Sequence, residues 1–69
     1  MTEQKLKRCK EFLDYFGVKI DEGFVYINDG DTSIIMNPNT QWKDFLGCSI
    51  LQVAKAVAKE LGLKVTKEK

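Results

Sequence analysis

Sixty-nine residues, 43% apolar and 30% charged with one proline and a net charge of +1, describe one small folded domain and exclude disordered and collagen-like chains. The chain lies near the size at which a single core can stabilise itself, so it has little room for a deep pocket. With no histidine, His-dependent triads, HExxH metal sites and the commonest general base are excluded, and Cys9 and Cys48 lack the C-x-x-C spacing of a zinc site.

Both cysteines are expected to be small apolar fillers in a reducing compartment. No apolar run approaches bilayer-spanning length and "MTEQKLKRCK" lacks a secretory apolar stretch, so a cytoplasmic location is expected, away from membranes. Charge is segregated along the chain: residues 1–20 carry +2, residues 21–48 carry −4 and residues 49–69 carry +3.

In chain order, Leu6, Cys9, Phe12, Leu13 and Phe16 recur at helical spacing, predicting a first helix with Thr2 as N-cap and Gly17 at its left-handed end. Lys7, Lys10, Glu11 and Asp14 lie on its opposite, solvated side. The stretch "VKIDEGFVYINDGDTSIIM" then reads as three strands joined by two-residue turns at Glu22-Gly23 and Asp29-Gly30. In that register Ile20 faces Val25, Val18 faces Ile27, Val25 faces Ile34 and Ile27 faces Thr32, so both turns produce the same aliphatic face. Asp29 and Asp31 have the residue types of calcium ligands, but the alternate positions before Gly30 hold Ile27 and Val25 where an EF-hand loop needs acids or amides. The sequence therefore predicts a turn and no metal.

Asn37-Pro38 breaks the strand pattern, and a short helical turn capped by Asn39 or Thr40 is expected to run through Trp42 and Phe45 to Gly47. Ser49 and Gln52 form a capping box ahead of a second amphipathic helix, whose stripe is Ile50, Val53, Ala54, Val57 and Leu61 and whose end is Gly62. Leu63 and Val65 are placed to add a short edge strand. Residues 1–65 thus read as one α+β domain and 66–69 as a frayed basic tail.

The predicted architecture is a two-layer sandwich in α-β-β-β-α order, with both helices on one face of a three-stranded antiparallel meander. Lys19, Phe24, Tyr26, Ser33 and Ile35 then fall on the uncovered face, with Trp42 either a partner anchor at its margin or, as so small a domain favours, a lid over one end of the core. An exposed aromatic cluster of this kind marks a partner-binding surface, so the expected function is a non-enzymatic module, of adaptor or inhibitor type, that binds a protein through this face or a strand edge. The same face would also serve a homodimer.

Element order and length together resemble the layout of double-stranded-RNA-binding domains and of the small toxin ribonucleases built on that plan. The resemblance implies RNA binding by a basic helix face, here Lys55 and Lys59 at i, i+4. It is incomplete, because Ile50-Leu51-Gln52 stands where such domains carry a basic cluster, and the toxins need a histidine. Ser33 and Ser49 lack a base, and no close carboxylate pair or phosphate cradle is visible, so neither catalysis nor a cofactor is expected.

Overall fold

The structure, a computed structural model, describes residues 1–67. Two helices and three strands follow in the order α1 (Glu3–Tyr15), β1 (Lys19–Asp21), β2 (Phe24–Ile27), α2 (Ile50–Leu61) and β3 (Lys64–Lys67). The helix ends are those the sequence signals. The Thr2 hydroxyl accepts the Lys5 N–H at 3.1 Å, and the Ser49 hydroxyl accepts the Gln52 N–H at 3.1 Å while the Gln52 side-chain oxygen accepts the Ser49 N–H at 2.8 Å. Gly17 and Gly62 follow the helices at φ +79° and +70°, a conformation that spares the terminal carbonyls and strains any residue with a Cβ.

The sheet is mixed, with strand order β1-β2-β3. The first hairpin forms as predicted, with Lys19 opposite Tyr26, Ile20 opposite Val25 and Asp21 opposite Phe24. The second does not. A type I′ turn needs positive φ at both central residues, and neither Asp29 nor Gly30 has it. Instead the Asn28 N–H donates to the Asp31 carboxylate at 2.7 Å, and a 3-10 turn over Asp29–Thr32 carries the chain out of the sheet. Asp31 is buried and the turn packs on α2.

The place beside β2 is taken by β3, which runs parallel to it, pairing Phe24 with Lys64, Val25 with Val65, Tyr26 with Thr66 and Ile27 with Lys67. Parallel neighbours need a long crossover, and the segment containing α2 supplies it. The all-antiparallel meander is therefore corrected to a mixed sheet, and the order to α-β-β-α-β, which removes the layout shared with double-stranded-RNA-binding domains. Thr66 and Lys67, read from the sequence as frayed tail, are strand residues, and Lys67 pairs its ammonium with the Asp29 carboxylate. Residues 68 and 69 of that tail lie outside the described residues.

One apolar cluster fills the space between helices and sheet, with Phe12, Leu13, Val25 and Val57 fully buried. α2 meets β2 and β3, and α1 packs along α2, the Met1 ammonium lying 3.5 Å from Glu60 in the last turns of α2. The long connection from Ser33 to Cys48 closes the cluster from the side, with Trp42 and Phe45 set against Phe12. The Phe12 and Phe45 rings stack at 4.3 Å between centroids, and Trp42 meets Phe12 edge-on at 5.5 Å. Truncating Phe12 leaves a cavity bounded by parts of the chain that cannot all collapse into it. Phe12→Ala is expected to cost about 3–5 kcal/mol, leaving the domain largely unfolded, and equilibrium urea unfolding followed by Trp42 fluorescence measures this.

Candidate functional site

Side chains alternate along a strand, so the pairing sorts the sheet into two faces. Val25, Ile27 and Val65 point into the core. Lys19, Asp21, Phe24, Tyr26, Lys64 and Thr66 point the other way. Phe24 and Tyr26, next but one along β2, bring their rings to 6.0 Å, and Phe24 remains 41% exposed. Neither ring belongs to the core cluster. Around this pair the register sets Lys19 opposite Tyr26, Asp21 opposite Phe24, and Lys64 and Thr66 on the far side, so that an aromatic centre has a charged and polar rim.

The predicted site is thus only partly assembled. Lys19, Phe24 and Tyr26 share the outer face. Ser33 does not, because it follows the 3-10 turn and belongs to no strand. Ile35 is corrected from outward to inward: it packs against the core, and its N–H donates to the Cys48 carbonyl at 3.0 Å. Its neighbour Ile34, expected in the core opposite Val25, is 54% exposed and bridges to Ser49. Once the chain leaves the sheet at Asn28, two-residue alternation carried over from β2 no longer says which isoleucine is inside.

Of the two readings of Trp42 the structure supports the lid: its place among partner-binding residues at the margin of a surface patch is corrected, and it is 5% exposed and part of the core cluster. Arg8 holds it there. The guanidinium carbon sits 4.3 Å from the Trp42 ring centroid, Nε and Nη2 donate to the Asp44 carboxylate at 3.0 and 3.1 Å, and Nη2 also donates to the Gln41 carbonyl. This fork, available to Arg and not to Lys, ties the 41–44 segment to α1. Trp42 Nε1 is buried with no partner among the described residues, a desolvation cost accepted for the packing of the ring.

Hydrogen bonding to Arg8 holds the Asp44 carboxyl below its ordinary value. A carboxylate with a lowered folded-state pKa stabilises the fold above its unfolded pKa and loses that contribution as pH falls through the folded value. Asp44 is expected to titrate below the usual aspartate range near 3.9 in carboxyl-carbon NMR, and Arg8→Met to return it upward.

The other features fall elsewhere. Lys55 and Lys59 are exposed on α2, which packs on the core face of the sheet, the face opposite Phe24 and Tyr26. Cys9 and Cys48, both free, line a small cavity of about 180 Å³ with Phe45, Val53 and Ala56 between the two helices. Burial pushes the Cys9 thiol up, and Cys48 is only half-buried. A thiol reagent is expected to label Cys48 in the folded protein and to reach Cys9 only at the rate of unfolding, which mass spectrometry of partially labelled protein resolves.

The outer-face residues that sequence reasoning missed are Asp21, Lys64 and Thr66. Asp21 had the signal, since it alternates with Lys19 in the predicted register. Lys64 and Thr66 had none, because their face follows from a parallel pairing across some forty residues of chain. No helix is long and apolar enough to cross a membrane among the described residues. Comparison with family models, with curated proteins and with solved structures finds no match.

Proposed function

We propose that this chain is a protein-binding module whose contact surface is the outer face of the sheet, centred on Phe24 and Tyr26. The observation that carries the reading is the pair itself: two adjacent aromatic rings on the central strand, outside the core cluster, with Phe24 substantially open. Interfaces concentrate aromatic side chains at their centre and polar groups at their rim, and Lys19, Asp21, Lys64 and Thr66 supply that rim. The rim carries both signs of charge, suiting a protein surface of mixed charge better than a polyanion. A partner seated here lays an aliphatic or aromatic side chain over the two rings and charged groups over Lys19 and Lys64.

The binding work falls on side chains the fold does not need, so the surface and the stability are separable. Phe24→Ser is expected to leave the urea midpoint nearly unchanged and to abolish capture of a partner on the immobilised protein. Lys55→Glu combined with Lys59→Glu is expected to leave capture intact. Equal capture by the wild type and Phe24→Ser would refute the reading, and loss of capture with the lysine pair alone would move the site to α2.

A further inference from the structure

We infer that the edge of β1 facing away from β2 pairs with the same edge of a second copy of this chain, joining two sheets into one of six strands. With a two-residue turn between them, Asp21 and Phe24 form the hydrogen-bonded end pair of the hairpin and Lys19 and Tyr26 the next such pair. The Ile20 N–H and C=O therefore point away from β2, toward the open edge. Two copies related by a two-fold axis through this position exchange both bonds between their Ile20 residues.

Charge makes this register self-complementary. Ile20 opposite the partner's Ile20 sets Lys19 against the partner's Asp21 and Asp21 against the partner's Lys19, on the outer face and in the non-hydrogen-bonded positions where side chains approach most closely. Centring the axis one residue earlier opposes Lys19 to the partner's Lys19, and one residue later opposes Asp21 to the partner's Asp21. Both slips are repulsive, so the charges select one alignment. The β3 edge lacks this property: a two-fold axis at Val65 sets Lys64 opposite the partner's Thr66, and one at Thr66 sets Val65 opposite the partner's Lys67, so neither register brings an acid against a base.

The inner side of the edge supplies the apolar contact. Ile20 is on the core face yet 38% exposed, at the rim of an open groove of about 540 Å³ lined with Lys10, Asp14 and Val18. Across the two-fold axis the two Ile20 side chains become neighbours and each covers the other's open side. The partner's Glu22 comes opposite Val18, on the side where Lys10 lines the groove. A three-residue strand makes a small interface, so the dimer forms at high protein concentration and weakens with salt. Pairing also places the Phe24 and Tyr26 pairs of both copies on one continuous outer face.

Sedimentation equilibrium at low salt, up to about 1 mM protein, tests this. The wild type is expected to reach twice its 7.9 kDa mass and stop there. Asp21→Lys and Lys19→Asp, each turning two attractive pairs into repulsive ones, are each expected to weaken the dimer by about tenfold, with the double exchange returning to within about twofold of wild type. Ile20→Pro, which removes the outward N–H without touching a bond to β2, is expected to give monomer with an unchanged far-ultraviolet spectrum. Phe24→Ser is expected to keep the dimer, separating this edge from the proposed partner-binding face. A monomer throughout the range, growth beyond a dimer, or a double exchange as weak as the single reversals would overturn the inference.

Discussion

The Phe12 ring is where the first helix and the long connection meet, and the fold depends on that meeting. α1 contributes the ring, the long connection contributes Phe45 stacked on one side and Trp42 at its edge, and Phe16 closes in from the next helical turn at 4.9 Å. A domain this small cannot form a second core to hold a sixteen-residue connection in place, so that connection has to become part of the first. Arg8 completes the attachment from outside by covering the Trp42 ring and gripping Asp44. Packing supplies the free energy and the exposed ion pair supplies geometry, as the modest value of surface pairs requires.

With the aromatic side chains Phe12, Phe16, Trp42 and Phe45 drawn to the helical side, the outer face of the sheet keeps only Phe24 and Tyr26. Their exposure follows from the inward placement of Val25 and Ile27 on the same strand. Because side chains alternate, burying the aliphatic pair obliges the aromatic pair to point outward, and among the described residues no further helix remains to cover it. The exposed aromatic pair is in this sense a by-product of core formation with a short supply of layers. The proposed binding function would then fall on positions outside the core cluster, a division that would let function and stability be altered independently.

Much of the architecture could be read from local signals. Thr2, Ser49 with Gln52, Gly17 and Gly62 mark helix ends through hydrogen bonds made within a few residues, and each is found where its chemistry places it. The Glu22-Gly23 turn and the pairing of Ile20 with Val25 are equally local. The failure at Asp29-Gly30 is instructive because the two turns look alike on paper. What separates them is the side chain of Asp31, which accepts the Asn28 N–H and so satisfies at the end of β2 a donor that a second hairpin would have paired with a strand. From that point Ile34 and Ile35 exchange sides, and Ser33 and Ile35 leave the predicted surface.

The amino-acid sequence by itself determined the two helices with their caps, the first hairpin and the identity of the inward face of β2, because each follows from dihedral preferences and hydrogen bonds between near neighbours. Only the tertiary structure decided what lies beside β2, which isoleucine is buried after it, and which of its two readings Trp42 takes. Those outcomes depend on competition between distant segments for the same edge and the same apolar surface. Lys64–Lys67 reaches the open edge of β2 by way of α2, the turn held by Asp31 leaves that edge free, and no pattern within either segment records the other.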